Sequence, residues 1–171
     1  MSSSASDEFP AHLQSLRRYA LQLTRCRERA DDLVQETLAR AIAAAATLRE
    51  GAPVRPWLFR ILHNTHVSEK RRERVRALHD VPSEEAVAPR QYGQVELRNV
   101  LDALAMLPQE QREVLRLVAL EEFSYAEAAE ILGIPVGTLM SRLSRGREAL
   151  RRLLDKNASP PLYVIGGRNG R

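Results

Sequence analysis

Apolar side chains recur along most of this chain at steps of three and four residues, the spacing of one face of an α-helix. Phe9, Leu13, Leu16, Ala20 and Leu23 mark a helix over residues 9–24. Residues 25–29 interrupt the pattern. A second stripe then runs through Val34, Leu38, Ala41, Ile42, Ala45 and Leu48, and its alanine run favours a helix over 30–48. Gly51, Pro53 and Pro56 break the chain into a loop over 49–55. Pro56 suits the first turn of a third helix, whose apolar side holds Trp57, Leu58, Ile61, Leu62 and Thr65. Its far end is heavily basic.

From 77 to 93 the periodicity fades among Pro82, Pro89, Gly93 and mixed polar residues, the composition of a flexible linker. About 17 residues reach at most ~55–60 Å when extended, enough to separate two duplex contacts by about one and a half turns of DNA. Beyond it, Val95, Val100, Leu101, Leu104 and Leu107 start a second helical unit, and Pro108 opens the next helix, with Val114, Leu115, Leu117, Val118 and Leu120 on its buried side.

Residues 124–154 hold the most informative pattern. Ser124 followed three residues later by Glu127 forms a capping box, with Phe123 placed to staple onto Ala128. Tyr125, Ala128, Ala129 and Leu132 face inward from a short helix, and Gly133 provides the turn. Val136, Leu139, Met140, Leu143 and Leu150 line the buried side of the final helix, which leaves Thr138, Ser141, Arg142, Arg145 and Arg152 on or beside its outer face. This is helix-turn-helix spacing. A basic, solvated helix in a bundle would share the periodicity, but the cap, the small residues, the turn glycine and the outward arginines together favour a DNA reader. The tail beyond 156 shows little periodicity.

Composition narrows the class. Abundant Ala, Leu, Glu and Arg with only 5% aromatics favour helix over sheet, so the chain is expected to be all-α: two small helical domains joined by a flexible linker, the second containing the helix-turn-helix. A pI near 9.7 and a net charge of +4 matter less than the clustering of the basic residues at 70–76 and 142–152, which sets the field near a polyanion. One cysteine, Cys26, precludes an internal disulfide and suits a reduced cytoplasm. The amino terminus lacks the pattern of a signal peptide and no apolar run reaches the ~18 residues of a membrane span, so neither secretion nor membrane insertion is expected.

Asp31, Asp32, Gln35 and Glu36 share a face of the second helix. An amino-terminal acidic cluster favoured by the helix dipole is the plainer reading, and a docking face for a basic partner helix is the functional one. Trp57 is expected in the core. His63 and His66 have no clear further ligands for a metal, and Cys26 has no adjacent histidine, so no metal, cofactor or redox role is expected.

Four segments, DDLVQETLARA (31–41), PWLFRILHNT (56–65), LPQEQREVLRL (107–117) and SYAEAAEILGIPVGTLMSRLSRGREAL (124–150), resemble in this order the hallmark segments of bacterial extracytoplasmic-function sigma factors. The resemblance covers nearly all of residues 9–154, and the second and third segments look closest to the general-stress-response branch. It implies a non-enzymatic, dissociable specificity subunit that directs core RNA polymerase to particular promoters. Its parts would be a flexible arm (1–8), domain two (9–76), a linker (77–93), domain four (94–155) and a tail (156–171).

By the same resemblance, Asp31, Asp32, Gln35 and Glu36 would dock on the β′ clamp helices of a polymerase core that also offers its β subunit. The loop over 47–55 would capture an unstacked minus-ten base, with Arg49, Arg55, Arg60, Asn64, Lys70, Arg71 and Arg74 on minus-ten DNA, since base extraction needs a pocket and nearby cations. Thr138, Met140, Ser141, Arg142, Ser144 and Arg145 match positions used on the minus-thirty-five element. Met140 stands where relatives often carry a basic residue, which would shift sequence preference or place the side chain in the core. An anti-sigma protein is the expected inhibitor. Two other readings remain open: an ordinary helix-turn-helix regulator, and an adaptor whose sigma-like surface binds an anti-sigma protein rather than DNA.

Overall fold

The computed structural model describes residues 5–49, 51–77 and 95–158. The expected linker beyond Ala77 and the tail beyond Ala158 lie outside the described residues. After a short 3-10 turn, Ala5–Glu8, the first unit contains α1 (Phe9–Thr24), α2 (Arg27–Ala44) and α3 (Val54–Ala77). The second contains α4 (Val95–Met106), α5 (Gln109–Leu115), α6 (Tyr125–Leu132) and α7 (Val136–Ala158). All regular elements among the described residues are helical.

Local chemistry sets most of the boundaries. Pro10 sits in the first turn of α1, where its missing N–H costs nothing. Arg25 ends that helix in the left-handed region at φ 55°, its N–H donating to the Leu21 carbonyl. The break at 25–29 is therefore narrower than the sequence pattern suggests, and α2 begins at Arg27. Its far end tightens into a 3-10 turn, Ala45–Thr47, before the loop. Pro108 caps α5 from outside rather than opening it, and its carbonyl accepts from the Gln111 and Arg112 N–H groups. Next, α5 runs into a π-turn, Arg116–Leu120, a wider winding that is rare in regular helices.

In the first unit, Leu16, Tyr19 and Ala20 of α1 meet Leu33, Val34 and Ala41 of α2 and Leu58, Phe59 and Leu62 of α3, all buried. Trp57 is partly buried and packs its ring against Phe9 at 6.2 Å. In the second, Val114, Leu115 and Leu117 share the buried core with Leu139 and Leu143 of α7. There α5 and α7 approach so closely that a Cβ added at Gly146 would stand 2.9 Å from Leu115 Cδ1.

The covalent linker is not the sole connection between the units. α3 packs on α6, and the Phe59 and Phe123 rings meet edge to face at 4.8 Å, so one continuous core crosses the boundary. Phe123 thus serves the partner unit rather than acting only as a local staple. Five residues read as inward-facing are exposed instead: Ile42, Leu120, Tyr125, Val136 and Met140. Ile42 lies one residue beyond Ala41 in α2, and a step of about 100° rotates it out of the contact.

Candidate nucleic-acid interface

The helix-turn-helix is built from Ser124 onward. The Ser124 hydroxyl accepts from the Glu127 N–H at 3.3 Å, while the Ser124 N–H donates to Glu127 Oε2 at 2.9 Å, which completes the capping box. The Ser124 hydroxyl also donates to Glu127 Oε2 at 2.7 Å, and that bond, with the one from the Ser124 N–H, holds the Glu127 carboxyl below its usual range. Gly133 closes α6 at φ 63°, a left-handed conformation that favours glycine, and α7 starts three residues later.

The buried edge of α7 is Leu139, Leu143 and Gly146, at steps of four and three. That narrow edge explains why Met140 and Val136 are turned out. Met140 is 52% exposed and lines a shallow depression with Tyr125, Ser144, Arg147 and Arg151, so its expected place in the core is corrected to a place on the surface. Ser144 and Arg145 are exposed beside it. Thr138 and Ser141 are half-buried, the Ser141 hydroxyl donating to the Thr138 carbonyl, and Arg142 pairs with Glu110 of α5 at 3.1 Å. Of the six residues matched to the minus-thirty-five element, Met140, Ser144 and Arg145 are thus the exposed ones. Arg147 and Arg151 join them, although the sequence pattern singled them out only as part of a basic run.

In the first unit, Asp32, Gln35 and Glu36 are exposed on α2, and Asp31 is half-buried in a groove lined by Leu13, Arg17, Arg27 and Val34. Glu36 pairs within its own helix with Arg40 at 2.7 Å. Arg49, Asn64, Lys70, Arg71 and Arg74 are exposed on the loop and along α3. Arg55 and Arg60 are engaged by the second unit. Arg55 donates to the Glu121 carbonyl at 2.7 Å and lies with its guanidinium carbon 4.1 Å from the Phe123 ring centroid, while Arg60 meets Glu130 at 3.1 Å.

Glu121 and Arg18 are the residues that the sequence pattern did not mark. Arg18 donates through Nε and Nη2 to both Glu121 oxygens, at 3.0 and 2.8 Å. No local signal distinguishes Glu121 from the adjacent Glu122, because its partners lie 103 and 66 residues away. Within α3, His63 and His66 are buried. Burial holds the His66 imidazole down at about 4, helped by the Lys70, His63, Arg29 and Arg116 charges, and burial likewise lowers His63 against the opposing pull of Glu113. Among the described residues no group of His, Cys, Asp and Glu is arranged to hold a metal ion, and no helix is long and apolar enough to cross a membrane.

Two family profiles match the two units in order. Residues 9–63 match the Sigma2 domain of PhyR, and residues 97–150 match Sigma-70, region 4. The chain is 41% identical over 158 residues to the ECF RNA polymerase sigma factor EcfG of Rhodopseudomonas palustris, covering 90% of this chain and 87% of that relative. It is an ECF sigma factor by family. A second relative, the ECF sigma factor SigM of Mycobacterium tuberculosis, is 35% identical over 147 residues, covering 85% of this sigma factor and 74% of SigM. Among solved structures, the sigma factor RpoE bound to the anti-sigma factor NepR from Bartonella quintana superposes with a TM-score of 0.73 at 38% identity, covering 87% of this chain and 95% of that one. The PhyR–NepR complex of Sphingomonas, at 20% identity and a TM-score of 0.71, shares the fold.

Proposed function

We propose that this sigma factor binds core RNA polymerase and directs initiation at a particular set of promoters, in a stress response controlled by an anti-sigma protein. The observation that carries the reading is the capped α6–Gly133–α7 unit, which buries Leu139 and Leu143 while leaving Met140, Ser144 and Arg145 exposed on one helix. A helix presented this way enters a major groove and reads base edges with its exposed side chains, and neighbouring arginines hold phosphates. In this reading Thr138, Met140, Ser141, Arg142, Ser144 and Arg145 address the minus-thirty-five element. The loop and α3, with Arg49, Arg55, Arg60, Asn64, Lys70, Arg71 and Arg74, address the minus-ten element. Asp31, Asp32, Gln35 and Glu36 dock on the polymerase. The chain supplies specificity and positioning to the polymerase, acts in the cytoplasm and needs no cofactor. The similar sigma factor RpoE, solved in complex with the anti-sigma factor NepR, supports the proposed mode of control.

Transcription in vitro with purified core polymerase tests the assignment. Initiation from a specific start site is expected only when the protein is added, and the absence of a specific transcript across a fragment library of the source genome overturns it. Asp32→Lys should lower affinity for core about ten-fold or more with helix content unchanged, because a rim charge at a docking face governs encounter with a basic partner. Unchanged affinity removes α2 from the docking surface.

A further inference from the structure

Glu121 is a carboxylate with no exposed side-chain surface, placed in the short turn between the π-turn and α6. Its side chain is held from the other unit by Arg18 of α1, bidentate at 3.0 and 2.8 Å, and by Arg55 of α3, at 3.4 Å. Arg55 also holds the Glu121 carbonyl and lies between two rings, 4.1 Å from the centroid of Phe123 and 5.3 Å from that of Phe59. Taking a carboxylate out of water is costly, and the converging guanidiniums offset that cost. The contact therefore forms or breaks as a unit, with the two halves of the chain.

The backbone beneath it is irregular. Glu122 adopts φ 56°, a left-handed conformation uncommon for a residue other than glycine, directly after the π-turn Arg116–Leu120. Such conformations persist where surrounding contacts hold them and concentrate at switching elements.

Two planar guanidiniums aimed at one oxyanion form the geometry that suits a phosphate as well as a carboxylate. On the reading given above, Arg55 and Arg60 belong on promoter DNA, yet carboxylates of the second unit occupy both. We propose that Arg18 and Arg55 form a phosphate site for promoter DNA, that Glu121 fills it internally, and that this occupancy holds the protein in a closed form unable to engage the minus-ten region. DNA competes with Glu121 for the same guanidiniums. The apparent affinity for promoter is then lowered by the fraction of molecules that are open, and Arg18 is added to the DNA-binding residues. The α7 face stays exposed in the closed form, so closure silences one reading surface and spares the other.

The test compares the full chain with Glu121→Gln and with Glu121→Gln/Arg18→Gln, by solution scattering and by binding to a promoter fragment across a salt series. Glu121→Gln should raise the radius of gyration and tighten promoter binding at least ten-fold. The double variant should be equally expanded, with a log–log salt slope smaller by about one, the loss of a single phosphate contact. Unchanged size and affinity in Glu121→Gln overturn the closed-form proposal. Expansion with an unchanged salt slope in the double variant overturns the phosphate assignment and marks the site as one for a partner's carboxylate instead. Should Glu121→Gln lose helix content, Arg18→Gln alone decides the matter: that side chain is half exposed, its removal spares both cores, and a folded variant that stays closed refutes the clasp. Core-dependent initiation by the wild-type chain is scored separately, so failure of the sigma assignment and failure of the clasp give different results.

Discussion

The two proposed nucleic-acid surfaces of this sigma factor differ in what covers them. On α7, Met140, Ser144 and Arg145 face solvent, and the pairing of Arg142 with Glu110 stays within the same helical unit. On α3, Arg55 and Arg60 are tied to Glu121 and Glu130 of the other unit, while Asn64, Lys70, Arg71 and Arg74 farther along the helix are exposed. Both surfaces are rich in arginine, and charge alone does not distinguish them. The difference lies in the neighbours that the fold brings to each. An arginine next to acids of its own unit keeps its surroundings when the units part, whereas one paired across the boundary changes partners.

The comparison breaks most severely if one unit can be unfolded alone. Leu139 is fully buried between α7 and its neighbours, and Leu139→Ala should cost about 2–5 kcal/mol. Since the cores join through Phe59 and Phe123, denaturation followed by probes in each unit should show the loss spreading into α1–α3. Unchanged stability in the first unit would show that the two surfaces are thermodynamically independent.

Acidification should act next, and on the α3 side. Burial lowers the His66 pKa from its ordinary 6.5 to about 4, so the unfolded chain binds the proton more readily. The stability that neutral His66 contributes is full above about pH 6.5 and falls as pH drops toward 4. His63, also lowered by burial, adds in the same direction. Denaturant midpoints measured from pH 7.5 to 4.5 should fall in the wild type, and His66→Gln should flatten the slope.

The exposed surface is sharpened by Arg145→Ala, for which a loss of about 1–3 kcal/mol in minus-thirty-five discrimination is expected if the side chain contacts a base. Transcription from promoters with altered minus-thirty-five bases reads this directly, and an equal loss on every sequence makes Arg145 a phosphate anchor. The smallest effect concerns the entry to the reader. Ser124→Ala removes the capping hydroxyl and should lower stability by about 0.5–2 kcal/mol, measured by thermal unfolding.

Much of the site was legible residue by residue. The capping box at Ser124 and Glu127, the turn at Gly133 and the inward alanines depend on contacts within a few residues, and each stands where the spacing placed it. The orientation of Met140 was not legible, because an apolar residue next to a buried stripe fits either side until the width of the packed contact is known. Tyr125 and Val136 follow the same logic at the start of their helices.

The sequence by itself determined the helices, the capping box at Ser124 and turn at Gly133, the division into two units and the four motifs that identify the family, since all of these arise from period and neighbouring residues. Tertiary structure alone decided that Arg18 and Arg55 converge on Glu121, that Phe123 completes the core of the other unit, and that Arg55 and Arg60 of one basic surface are engaged across the boundary while Met140, Ser144 and Arg145 on α7 stay open. These contacts join residues 64 (Phe59 to Phe123) to 103 (Arg18 to Glu121) positions apart, a separation at which no local pattern couples one side chain to another. The packing of the second unit against both α1 and α3 selects which carboxylate meets which arginine.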